Sequence, residues 1–211
     1  MKNNLRCGFT KREQTAIALN CVIVIFEIIA LIISFMGRGL AIMVFFTQES
    51  NTLLMVSSLI YLVYKFSGKK LPKWVMFSRY VTTLLTAVTF VVVLLILVPM
   101  SIPYPGAVKH LILGGANPFM HIACPVISFI SFVFYEEKYK PTFKDNVLAA
   151  LPPVVYGIVT VILNYLYILD GPYPFLRVHN QPVRVSVFFF VVILGGGFLF
   201  GMIIRKLKCK R

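Results

Sequence analysis

The sequence predicts an all-α integral-membrane protein, a single domain of six transmembrane helices with both termini cytoplasmic. Three observations predict it. Mean hydropathy is +0.86, and 59% of residues are hydrophobic while only 13% are charged, about half the usual share. Six apolar segments reach the ~20 residues that a bilayer requires. The Lys and Arg residues fall very unequally in alternate gaps between those segments, as orientation in a membrane demands.

The six segments are 15–36, 40–66, 74–100, 109–135, 146–169 and 183–204. Seventeen of the 21 Lys and Arg lie on one side. They are Lys2, Arg6, Lys11 and Arg12; Lys65, Lys69, Lys70, Lys73 and Arg79; Lys138, Lys140 and Lys144; and Arg205, Lys206, Lys208, Lys210 and Arg211. The other side holds Arg38, Lys109, Arg177 and Arg184. The charge-rich side is expected to be cytoplasmic and to meet anionic lipid. A formal charge of +14 would also suit nucleic acid, but no basic helical face or aromatic-basic interleave accompanies it, which excludes that partner. The basic N-terminus before segment 15–36 has the start of a signal peptide. Without a small-residue cleavage site after it, the segment reads as retained.

Segment 15–36 carries Glu27, an acid in mid-span, which is expected to face the bundle interior. Gly37, Arg38 and Gly39 form a very short turn, so the first two helices should be antiparallel neighbours. Segment 40–66 contains FFTQESNT, residues 45–52, with six consecutive polar residues from Thr47 to Thr52. Carrying them into hydrocarbon is costly, so they should line an interior or a wet cavity. Thr47, Asn51 and Ser58 share one helical face, and Glu49 points nearly opposite Thr47. Segment 74–100 is mostly Val, Leu and Thr and reads as scaffold. Segment 109–135 strings His110, Gly114, Asn117, His121, Cys124 and Ser128 along one stripe. Pro118 within it either kinks the helix or starts one capped by Asn117, leaving 110–115 as a separate outer piece. The fifth segment ends in an aromatic, turn-rich stretch suited to an outer interface. The sixth carries Gly195, Gly196, Gly197 and Gly201, a small-residue face for close packing. Cys7, Cys21, Cys124 and Cys209 show neither metal-motif nor disulfide-framework spacing, so neither a metal site nor a cofactor is expected.

Thr47, Glu27 and His121 come from three helices. Counted from the outer segment ends they lie about 10, 14 and 18 Å deep, with His121 much shallower if its helix starts at Pro118. Each has an ordinary structural reading: membrane Thr bonds a carbonyl one turn back, Asn bonds a neighbouring helix, and a lone buried His is satisfied by packing. Together they also fit hydrolysis, with His121 as general base to the Thr47 hydroxyl and Asn51 or Asn117 donating to an oxyanion. Glu27 and Glu49 are supporting polar groups of the same site. The competing class is a small transporter or lipid-binding protein in which Glu27, Glu49 and His121 handle protons or substrate.

The FFTQESN stretch, the NPFMHIACP stretch (117–125) and the GPYPFL stretch (171–176), in that order, resemble the androgen-induced gene family of integral-membrane proteins, in its bacterial branch. The resemblance covers most of the chain. It implies a threonine hydrolase of fatty-acid esters in a bacterial plasma membrane, with Thr47 in the place of the family's Thr and His121 in that of its His. An acidic residue often follows that His in the family. Here Ser128, Ser131 and Phe132 occupy the region, and no acid comes before Glu136.

Overall fold

The computed structural model describes residues 8–210, and among these every regular element is helical. Lys2, Arg6, Cys7 and Arg211 lie outside the described residues. Helix α1 (Lys11–Arg38) opens with a capping box, in which Thr10 and Glu13 satisfy each other's backbone N–H groups. It ends where Gly39 turns to φ 57°, a left-handed conformation open to glycine. Helix α2 is Phe46–Phe66, α3 is Lys73–Val92, and α4 is the short Ala107–Leu113. Helix α5 is the continuous stretch Pro118–Tyr135, α6 is Phe143–Tyr165, and α7 is Val183–Cys209.

Five helices are long and apolar enough to cross a membrane: Lys11–Val44, Lys73–Ser101, Pro118–Tyr135, Phe143–Tyr165 and Val183–Cys209. Helix α2 is not among them, although it has 21 residues. Its polar first turns, and Lys65 in its last, offset the apolar remainder. It lies against α1 on one side and α3 on the other.

One expected boundary is corrected, and the choice left open at Pro118 is decided. Segment 40–66 does not begin as α-helix, because Gly39–Val44 forms a tighter 3₁₀ turn and Phe45 is extended. Thr47 is therefore the second residue of α2, not one seven residues inside it. Segment 109–135 is two helices: Gly115 takes φ 53°, and Pro118, which has no N–H to leave unpaired, opens α5. Asn117 is not a side-chain cap. It is helical itself, and its Nδ2 donates to His110 O at 3.0 Å. Helix α3 continues through a wider π turn (Val93–Leu97), next to Pro99, which cannot return an N–H to the preceding turn.

Segment 74–100, read as scaffold from its Val, Leu and Thr content, carries polar packing contacts as well. Helix α3 stands at the centre of the bundle against α2, α5, α6 and α7, and its inner face is polar. Ser57 meets Thr82 at 2.8 Å, Ser50 meets Thr89 at 3.2 Å, and Thr83 meets Ser128 at 2.8 Å. With no hydrophobic drive between helices in lipid, such short hydroxyl pairs allow close approach. Arg79 is not a flanking surface charge. Its guanidinium bonds Glu136 at 2.8 Å with both side chains 0% exposed, and Ser58 and Ser57 accept from its Nη1. Asn20 and Ser131 complete the Glu136 carboxylate. Lys65 bridges Glu13 and Glu137, and Lys208 donates to the Glu136 carbonyl. Charges from α1, α2, α3, α7 and the end of α5 thus gather at one end of the bundle.

The outer faces carry Ile, Leu, Val and Phe, including Ile25, Ile32, Leu95, Val155 and Leu199, all exposed. Buried positions are unusually polar, a pattern compatible with a multi-pass membrane bundle.

Candidate functional site

Helices α2 and α5 bring their first turns together at the end of the bundle opposite the ion pairs. Thr47 is 7% exposed. Its Oγ1 lies 3.1 Å from the phenol oxygen of Tyr173, and its backbone N–H donates to the same oxygen at 3.2 Å. Helix α2 begins without a side-chain cap from its own sequence. A tyrosine 126 residues downstream therefore satisfies one of the N–H groups that a helix start leaves unpaired. Burial pushes the Tyr173 phenol above its ordinary range, so it remains an O–H donor at neutral pH.

Asn51 sits one turn further along α2. Its Nδ2 donates to Thr47 O at 2.8 Å and to Met120 O at 3.2 Å, tying the carbonyl of Thr47 to that of the residue before His121. Both amide hydrogens are thereby used, and the atom left without a partner is the acceptor Oδ1. Asn51 consequently has no hydrogen to offer an oxyanion, and the geometry makes it a tie between helices.

His121 is the fourth residue of α5 and 6% exposed. It stands about one turn into its helix, the shallow alternative rather than the 18 Å of an uninterrupted segment. Its Nδ1 lies 2.9 Å from Leu111 O. A carbonyl only accepts, so in the neutral ring Nδ1 carries the hydrogen and Nε2 keeps its lone pair. The short α4 thus fixes which nitrogen can serve as a base. Thr47 and His121 are not hydrogen-bonded to each other, because the hydroxyl faces Tyr173 and the imidazole Nδ1 faces α4.

The other residues singled out from sequence lie around this pair. Glu27 is 2% exposed, beside the Cys124 thiol, with Oε1 unpartnered. It faces the interior but makes no hydrogen bond to Thr47 or His121. Glu49 is half-buried on α2, within electrostatic range of Tyr173. Asn117 spends one amide hydrogen on His110 O and has one more to give. Among the described residues, no three His, Cys, Asp or Glu side chains gather as a metal site would require.

On its Tyr173 side Thr47 borders a cavity of about 80 Å³ between α2, α3, α6, α7 and the 173–176 turn. Aliphatic and aromatic carbon dominates the lining, with Val93, Leu97, Val161 and Phe190 among the walls. His121 does not line it. Tyr173 is the residue that sequence reasoning missed as a site member. The signal available was its place in GPYPFL, a stretch whose aromatics also suit a membrane interface.

In comparison with known proteins, no family model, curated protein or solved structure matches the chain.

Proposed function

We propose that the protein is a six-helix plasma-membrane hydrolase of lipid esters, bacterial by its resemblance, with both termini cytoplasmic and Thr47 as nucleophile. In this reading α2 crosses the membrane as the sixth span, its polar start enclosed by α1, α3 and α5. The observation that carries it is the Thr47 hydroxyl at the edge of an apolar cavity, one turn of α2 from an amide that ties it to the His121 helix. The resemblance of three stretches to the androgen-induced gene family supports the same pair.

The chemistry then runs as acyl transfer. Thr47 Oγ attacks the ester carbonyl carbon while its proton passes to His121 Nε2. The carbonyl oxygen becomes an oxyanion that the Tyr173 O–H, already beside Thr47, can meet. The alcohol leaves with the proton from His121, and water activated by the same base releases the acid from the acyl-threonine. Because Thr47 now faces Tyr173, its hydroxyl must rotate to another staggered position, or reach His121 through one water, before the proton can move.

A second reading is a lipid-binding protein without chemistry, favoured by the missing Thr47–His121 hydrogen bond. A lipid-ester activity probe on purified protein separates the two. The hydrolase reading requires covalent labelling at Thr47, lost in Thr47→Ala and His121→Ala and partly kept in Thr47→Ser. The double variant should be no worse than either single one, since groups that act as a unit fail together. Wild-type ester turnover by Thr47→Ala would end the reading.

A further inference from the structure

We propose that the cavity beside Thr47 holds one slender, unbranched acyl chain, and that Gly157 and Phe190 set how much chain it admits. The inference rests on the hydrolase reading only for which end of the ligand meets Thr47.

The polar groups on the cavity wall are already partnered. Thr47 and Tyr173 hold each other, Thr89 shares a hydrogen bond with Ser50, Tyr156 donates to Val44 O at 2.8 Å, and Ser186 accepts from Gln181 at 2.9 Å. Each of these hydroxyls has a partner and little besides a remaining hydrogen to give, so a sugar or charged head group would stay largely unpaired there, and burying it so is costly. Hydrocarbon carries no such penalty. At about 80 Å³ the space is roughly half that of the ~150 Å³ apolar cavity known to hold benzene. A flexible chain fits it better than a ring system.

The narrowing comes from one helix pair. Helices α6 and α7 run antiparallel in a register that sets Gly157 against Phe190 and Asn146 against Gly201. Both Gly157 and Phe190 line the cavity. A Cβ on residue 157 would lie 3.2 Å from the Phe190 ring, so the ring already occupies most of the room a side chain there would need. The glycine admits the ring, and the ring limits the cavity. Bulk added at 157 should subtract from the ligand's space, while bulk removed at 190 should add to it.

The test uses full-length protein in lipid nanodiscs and a fatty acid with a mid-chain photoreactive diazirine, its cross-links mapped by mass spectrometry. Wild type should label the cavity walls on α3, α6 and α7. Gly157→Leu should lower that labelling about tenfold or more, and Gly157→Leu with Phe190→Ala should restore it, which damage to the fold would not do. Phe190→Ala alone should raise labelling by a branched-chain probe that wild type excludes, an expectation that stands even if Gly157→Leu does not fold. Cross-links confined to the lipid-facing surfaces, undiminished labelling in Gly157→Leu, or no gain in Phe190→Ala would overturn the proposal. Cavity labelling that persists in Thr47→Ala, with no ester turnover by any variant, supports the chain site and removes only the hydrolase reading. Thr47-dependent turnover indifferent to both wall substitutions removes only the chain site.

Discussion

The phenol oxygen of Tyr173 meets Thr47 twice, accepting its backbone N–H at 3.2 Å and lying 3.1 Å from its Oγ1. Tyr173→Phe keeps the ring stacked on Phe175 and edge-on to Phe45 but removes both bonds. Leaving a buried donor unpaired should cost about 1–3 kcal/mol, seen as a lower melting temperature in detergent. If the phenol also meets the oxyanion, ester turnover should fall about 10²-fold. An unchanged melt would show that the phenol is not engaged.

Asn51 should be intolerant of change in a particular order. Asn51→Leu strips a donor from two carbonyls, Thr47 O and Met120 O, and should destabilise by about 1–3 kcal/mol. Asn51→Asp should be worse where the carboxylate is charged, because it then sets an acceptor against two acceptors. Thermal melts of the two variants check the order, and a wild-type melt for Asn51→Asp would sink the assignment.

The Arg79–Glu136 pair predicts strong non-additivity. Removing either partner leaves an uncompensated buried charge, at about 3–5 kcal/mol, whereas replacing both with apolar residues of similar size should cost much less. A double-mutant cycle on Arg79→Met and Glu136→Leu reads this directly. Burial alone would raise the Glu136 carboxyl, but the adjacent Arg79 guanidinium and the Asn20 amide outweigh it and hold the group below the usual carboxylate range. A depressed carboxyl adds stability that is fully present above its unfolded pKa of about 4.3. Melting temperature should therefore hold from neutral pH down to that point and fall only in stronger acid. Removing the pair should flatten the acid limb, and an unchanged limb would count against the assignment.

Orientation can be read by thiol labelling. Cysteines replacing Arg38, Lys109 and Arg177 should react with an impermeant reagent outside the cell, and those replacing Lys69 and Lys140 should not. All five positions are exposed, so protection cannot come from burial in the fold. External labelling at 69 or 140 would refute the six-span topology.

Much of the fold could be read from residue order because hydrocarbon imposes its rules locally. Glycine at 39 and 115 and proline at 118 punctuate the chain by their own backbone preferences, and the burial of Thr47, Asn51 and Ser58 follows from helical spacing. What escaped depends on distant closures. Nothing in the neighbourhood of Arg79 indicates a carboxylate 57 residues away, and a count of positive charges assigns Arg79 to the surface. Nothing near Thr47 indicates Tyr173. For a related reason, residue type and position leave Asn51 open between oxyanion donor and tie between helices: whether a hydrogen remains free depends on two carbonyls that only the packed helices bring together.

The hydroxyl pairs along α3 change which substitutions should matter. In a water-soluble protein, Leu→Ala is the damaging change and Ser→Ala is usually minor. Here Leu95 and Ile32 face outward and should accept almost any apolar replacement. Ser58→Ala, the loss of one oxygen, removes a partner of the buried Arg79. A complete substitution scan should therefore run inverse to a hydropathy plot, with tolerance highest where the chain is most apolar. The small polar side chains that count against membrane insertion are the ones that give this bundle its particular shape.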